Sequence, residues 1–192
     1  MSSQIDSNPP QAYRSDGGVS PRVLAISNQK GGVGKTTTAV NLATALAAVD
    51  KRVLIVDLDP QGNASTSLGI PINMREINTY HVLMGDAGLD RACVATDVPN
   101  LSIVPSGADL AGAELELVDV NNREGRLKAA VSGASADYDY ILIDCPPSLG
   151  LLTLNAWVAA QAVLVPLQVE FLALEGVSQL VRTIERVRQS FN

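Results

Sequence analysis

Aromatic side chains make up only 4% of the 192 residues, with one tryptophan and one histidine. A core so poor in rings must be closed by Ala, Val and Leu, and an apolar content of 46% then suits a tightly packed α/β protein. Cysteine is equally sparse: Cys93 and Cys145 stand far apart with no C-x-x-C spacing, which leaves a disulfide or zinc framework without support. The lone His81 has no Cys or His cluster near it in sequence and reads as a surface or packing residue. Positive charge is in deficit, 14 Lys and Arg against 20 Asp and Glu, a net −6. This argues against attraction of nucleic acid by the whole surface and leaves room only for a local basic patch. No apolar run approaches the ~20 residues of a membrane span, and the N-terminus lacks the basic-then-apolar layout of a secretory signal. The expectation is a single cytoplasmic domain with reduced thiols and no membrane attachment.

What is present is a regular alternation. Residues 1–21 are polar and broken by Pro9-Pro10 and Gly17-Gly18, a flexible tail by composition, so the ordered domain is expected over 22–192. Short uncharged runs at 23–26, 53–56, 101–104, 141–143 and 162–165 have the character of strands buried on both faces of a parallel sheet. Helical stretches lie between them. The first runs from 36 to about 49, with Leu42, Leu46 and Val49 along one side. A short one, capped by Asn78 or Thr79, ends at Met84, and Cys93 after it reads as a small buried hydrophobe. Two more cover 108–118, with Glu114 and Glu116 on a solvated face, and 123–132. The closing helix has Val177, Leu180, Val181 and Ile184 on its apolar side and solvated charge, including Arg182, Arg186 and Arg188, elsewhere. Strands alternating with helices predict a doubly wound α/β fold.

The strand at 23–26 runs into residues 30–37, K-G-G-V-G-K-T-T, and then into a helix. Strand, glycine loop and helix in that order make a phosphate-binding loop. Gly31, Gly32 and Gly34 let the backbone approach an anion closely, and their N–H groups, with that of Val33 and the helix N-terminus, form an anion nest. Lys35 would reach the β- and γ-phosphates, Thr36 would ligate Mg²⁺, and Thr37 would donate to the next phosphate back. Gln29 stands where the usual pattern has glycine, and Lys30 adds a second cation that one nucleotide does not need. A dinucleotide fingerprint is disfavoured, because Thr37 stands where its third glycine should be. Two further stretches end strands with acids: D-L-D-P-Q-G-N from Asp57, and Y-I-L-I-D ending at Asp144. Asp57 and Asp59 share a face if extended geometry continues. Carboxylates repel phosphate, so their useful work there is to hold a Mg²⁺ water or orient an attacking water.

Residues 30–37 resemble the deviant Walker A motif of the ParA/MinD superfamily of ATPases. The stretches D-L-D-P-Q-G-N-A-S and D-C-P-P-S-L-G, the latter beginning at Asp144, resemble switch I and switch II of its ParA/Soj branch. The resemblance implies a SIMIBI-type P-loop NTPase fold, a three-layer α/β/α sandwich. It implies ATP and Mg²⁺ as ligands and an ATP-dependent homodimer in which Lys30 crosses to the partner's nucleotide. Asp59 would position the hydrolytic water, Asp57 would mark the nucleotide-sensing end of its strand, and Asp144, through water, would join Thr36 at the metal. It further implies plasmid or chromosome segregation, with a ParB-type centromere-binding partner stimulating slow hydrolysis and nonspecific DNA binding by the dimer. The likeness covers 22–192 and only the N-terminal part of the family's domain. The adenine contacts, much of the basic surface and a neighbour for the last strand are therefore expected beyond Asn192. Three alternatives remain. One is a nucleotide-binding module with little turnover. The second is a MinD-like membrane-cycling ATPase, which needs a C-terminal targeting helix. The third is a redox ATPase like the nitrogenase iron protein, with Cys145 at a cluster.

Overall fold

The computed structural model describes residues 20–133, 137–168 and 173–191. Most of the expected tail (1–19) lies outside the described residues. The elements run β1 (Arg22–Ile26), α1 (Lys35–Ala47), β2 (Val53–Asp57), α2 (Asn63–Ser67), α3 (Thr79–Met84), α4 (Leu89–Ala92) and β3 (Val94–Ala95). Then follow β4 (Leu101–Val104), α5 (Leu110–Glu116), α6 (Arg126–Gly133), β5 (Tyr140–Asp144), α7 (Leu151–Ala159), β6 (Ala162–Leu164) and α8 (Ala173–Phe191).

All five residues of β2 are buried, as an apolar run in a central parallel strand requires. The sheet order is β3-β4-β2-β5-β1-β6, and every pair is parallel except β3 with β4. Alternate strand residues feed two cores. Val23, Ala25, Leu54, Val56, Ile141 and Ile143 meet the face that carries α3, α5, α6, α7 and α8. Ile26, Val53, Ile55 and Leu142 meet α1 and α2 on the other face. Two hydrophobic faces on one sheet give the three-layer α/β/α architecture, and each large side chain taken fully from water contributes about 2 kcal/mol.

Four expectations need correction. α1 buries Ala39, Ala43 and Ala47 against the sheet, while Leu42 and Leu46 only flank that line and Val49 is exposed. Spacing of four identifies a face, but the small residues allow the close approach. The run at 162–165 is an edge strand among the described residues, exposed to half-buried, not a buried one. An apolar run reports β-branched content and not how many neighbours the strand finds. Glu114 is half-buried rather than solvated, and its Oε1 accepts from Leu152 N at 3.2 Å, at the start of α7; Glu116 is exposed as expected, with Oε2 accepting from the Tyr80 hydroxyl at 2.7 Å. On α8, Val181 is exposed and Leu180 buried, with Ile184 and Val187 packed against the same core and Val177 half-buried.

The predicted cap of α3 is present. Asn78 Oδ1 accepts from Tyr80 N at 2.8 Å, and His81 Nδ1 accepts from Asn78 N at 3.3 Å, so the single histidine closes a capping box. Cys93 is half-buried, with its sulfur 3.2 Å from the Tyr138 hydroxyl. Among the described residues no helix is long and apolar enough to cross a membrane. A cavity of about 830 Å³ lies at the amino ends of β1 and β6, lined in part by Val23, Trp157, Val163, Ile184 and Val187. That is the end of the sheet opposite the acids.

Candidate functional site

The carboxyl ends of β1, β5 and β2 lie side by side. In register, Ile26 pairs with Asp144 and Asp144 pairs with Asp57, so the acid of β5 sits level with the start of the glycine loop and with the acid of β2. Ligands of open α/β sheets bind there. From β1 the chain turns through the loop into α1. Gly32 and Gly34 have φ of +74° and +88°, a region that side chains rarely enter. A Cβ built on Gly31, Gly32 or Gly34 would meet nothing within 4 Å. The cradle therefore opens into free space, and glycine is needed there for backbone shape and access rather than for internal packing.

α1 begins with no capping side chain and no acid in its first turn. Its leading N–H groups and the positive end of its dipole are left for an anion from outside the chain. Lys35 is 7% exposed, and its ammonium donates to the Lys30 carbonyl at 3.1 Å, which holds the cation folded over the loop. The Lys30 side chain lies on the exposed rim. Thr36 is half-buried and Thr37 exposed. Two side chains, Asn28 and Gln168, stitch this loop to the segment after β6. Asn28 Oδ1 accepts from Lys30 N at 3.0 Å while its Nδ2 donates to the Pro166 carbonyl at 2.8 Å. Gln168 Nε2 donates to the Gly32 carbonyl at 3.1 Å.

The three acids differ sharply. Asp57 is fully buried and fully partnered: Oδ2 accepts from Ser65 N at 2.9 Å and from the Ser65 hydroxyl at 2.6 Å, and Oδ1 accepts from Asp59 N at 3.3 Å. Burial pushes its pKa up to about 6 against the pull of those bonds. Its carboxylate is thus directed at α2 and the Asp59 loop, not left open toward the glycine loop. Asp59 is buried at 8% exposure, with Oδ1 accepting from Gln61 N at 3.0 Å. Asp144 is fully buried, and among the described residues neither of its oxygens has a hydrogen-bond partner. Desolvation pushes its pKa up to about 7. The nearby Thr36 hydroxyl favours the charged form without making a bond of normal geometry, Asp57 and Asp59 raise the pKa further, and Lys35 opposes them.

A family model described as an AAA domain matches residues 21–192. The chromosome partitioning protein ParA of Caulobacter vibrioides is 59% identical over 173 residues, which are 89% of this chain and 65% of that protein. The sporulation initiation inhibitor protein Soj of Bacillus subtilis is 53% identical over 171 residues, covering 89% of this chain and 68% of Soj. The chain belongs to the ParA/Soj family. It spans about 65% of the length of the Caulobacter relative. A solved structure, cobyrinic acid a,c-diamide synthase from Mycobacterium smegmatis with bound ATP analogue and magnesium, superposes at a TM-score of 0.85 with 48% identity. That match covers 90% of this chain and 70% of the other.

This ParA/Soj site fits a magnesium nucleotide on its own geometry. A buried carboxylate with two unsatisfied oxygens is costly unless something is to occupy them. Among the described residues no group of three or more His, Cys, Asp or Glu side chains forms a metal cage. A hydrated Mg²⁺ that needs phosphate oxygens to complete its shell suits such a site better than a resident ion. An iron–sulfur role for Cys145 does not suit it: the thiol is 1% exposed, and burial followed by the charge of Asp144 pushes its pKa up, away from the thiolate a cluster requires.

A pH dependence follows. Asp57 and Asp144 have folded pKa values near 6 and 7, above the ordinary 3.8, so the folded state holds their protons more tightly than the unfolded chain does. Their contribution to stability therefore falls as pH rises from about 4 to 7 and is constant above. Asp144→Asn should stabilise the nucleotide-free chain by on the order of 2 kcal/mol at pH 8, with the gain shrinking toward pH 5. Thermal unfolding of both proteins across that range checks it. A gain independent of pH contradicts it.

Proposed function

We propose that this chain is an ATP-driven association switch of the partitioning type, in which ATP pairs two copies and hydrolysis releases them. The observation that carries the reading is the unpartnered, buried Asp144 carboxylate beside an open glycine cradle and an enclosed Lys35. Those are the parts that a magnesium triphosphate completes and that a mere turn has no use for. The N–H groups of Gly31, Gly32, Val33 and Gly34 and the start of α1 would hold phosphate oxygens. Lys35 would face the β- and γ-phosphates, and Thr37 the next phosphate back. Thr36, and Asp144 through water, would hold Mg²⁺. When bound, that ion supplies charge neutralisation of the phosphate oxygens. Asp59 accepts a hydrogen bond from the attacking water and aligns it. Asp57 acts on this chemistry through α2.

ATP and Mg²⁺ are carried over from the M. smegmatis protein, whose structure contains an ATP analogue and magnesium; its named reaction is not. Chromosome or plasmid partitioning is carried over from the Caulobacter relative, and with it a ParB-type partner and DNA binding by the paired form. Lys30, which is exposed on the rim, would reach a second copy's nucleotide. A ligand shifts an association equilibrium only if it binds the two states differently, and a lysine shared across the interface supplies that difference.

The experiment is light scattering with Mg²⁺ and a non-hydrolysable ATP analogue. Wild type is expected to move from monomer to dimer. Lys30→Ala is expected to bind the analogue and stay monomeric. A wild type that never pairs, or a Lys30→Ala protein that pairs equally well, sinks the proposal.

A further inference from the structure

Residues 59–70 hang from the carboxyl end of β2 and carry the acid that aligns water in the proposed function. A catalytic carboxylate must be held closely, because a misplacement of ~1 Å can cost ~100-fold in rate. α2, at five residues, is too short to hold itself. Two side chains hold it instead.

From the inside, Ser65 is fully buried and donates twice to Asp57, from its N–H at 2.9 Å and its hydroxyl at 2.6 Å. Its hydroxyl oxygen also accepts from Ser106 N at 3.0 Å. Ser65 thereby joins the end of β2 to the turn after β4. From the outside, Arg75 reaches back over α2. Its Nη1 donates to the Gly62 carbonyl at 3.4 Å, Nη2 to the Thr66 hydroxyl at 2.9 Å and the Ile70 carbonyl at 2.6 Å, and Nε to Ile70 again at 3.1 Å. The fork spans the cap, the middle and the exit of the helix. Gly62, at φ +62°, lies so close beneath it that a Cβ there would stand 2.5 Å from Nη1. Arg75 is anchored in turn: Asn78 Nδ2 donates to its carbonyl at 3.0 Å and to Asp109 at 3.0 and 3.1 Å. Asp59 is one turn from this clamp, since its carbonyl accepts from Gly62 N at 2.9 Å.

We propose that Ser65 and Arg75 are positioning residues for Asp59, clamping α2 from both sides so that the carboxylate is set before nucleotide arrives. This rests on the role given to Asp59 above. The acceptors on Gly62, Thr66 and Ile70 need a planar group with several fixed donors, which a lysine ammonium cannot reproduce.

The test is steady-state ATP turnover and fluorescent-nucleotide binding on the full chain, for Ser65→Ala, Arg75→Met, Arg75→Lys, Asp59→Ala and the pairs with Asp59→Ala. Ser65→Ala and Arg75→Met are expected to lower kcat at least ~10-fold while KM and nucleotide Kd stay within about threefold. Arg75→Lys is expected to recover part of that loss. Neither change should lower turnover further once Asp59 is alanine. A purely structural role would move KM, Kd and kcat together. Half-buried Arg75 carries the test alone if Ser65→Ala does not fold. The inference is overturned if kcat stays within about twofold of wild type, or if the losses add fully to that of Asp59→Ala. Normal turnover by Asp59→Ala overturns the reading of Asp59 itself. An inactive Asp59→Ala beside fully active clamp variants overturns only the positioning claim.

Discussion

Lys35→Ala is expected to bind ATP at least ~100-fold more weakly than wild type. The ammonium is already enclosed and bonded to the Lys30 carbonyl, so little side-chain entropy remains to be lost when phosphate arrives. A charge-assisted bond of that kind is worth about 1.5–3 kcal/mol, and a triphosphate would take more than one. Losing the cation also acts through Asp144. The charge of Lys35 lowers that carboxyl's pKa, so without it the acid stays protonated to higher pH and is a poorer acceptor for a metal-bound water. Arginine should not rescue, because its planar fork does not suit a space shaped for a compact ammonium. Calorimetric titration of both variants checks this, and an affinity within about threefold of wild type for Lys35→Ala contradicts it.

The second large effect belongs to Asp59. Asp59→Ala should keep ATP binding and ATP-driven pairing while turnover falls by about 100-fold or more. Binding survives because Asp59 gives the protein little: one bond from Gln61 N at 3.0 Å, worth about 1 kcal/mol. Removing its charge also relieves Asp144, whose pKa it helps to raise. Asp144 is thereby more readily ionised, so affinity at the proposed nucleotide site is expected to be held or slightly increased. A split of that kind, with kcat lost and affinity kept, marks a group that acts in the transition state rather than in binding. Turnover within about threefold of wild type removes Asp59 from the chemistry.

Much of the frame could be read from the chain because its signals are local. The central strands β2 and β5 are continuous apolar runs ending in acid, and buried parallel strands write themselves that way. The glycine loop announces itself by spacing, and α3 by its capping residue. What escaped was settled by contacts distant in sequence. Ser65 matters because it meets Asp57 and Ser106, Arg75 because it folds back over Gly62 and Ile70, and Asn28 because it meets Pro166. None has a distinguishing periodicity. The two residues of β3 are too short to leave a pattern, and the alanine face of α1 was masked by larger leucines that sequence rules weigh more heavily. Asp57 and Asp144 look alike as strand-ending acids, and only the structure separates the one whose oxygens are taken from the one whose oxygens are open.

The central claim is that a metal-bound triphosphate, not phosphate alone, completes the site around Asp144. Calorimetry of the wild-type chain with ATP, in Mg²⁺ and in excess chelator, tests it most directly. The account predicts tight binding of about one ATP per chain with Mg²⁺, at least ~10-fold weaker binding without it, and no heat from Mg²⁺ alone. ATP binding indifferent to Mg²⁺, or Mg²⁺ binding with no nucleotide present, would contradict it.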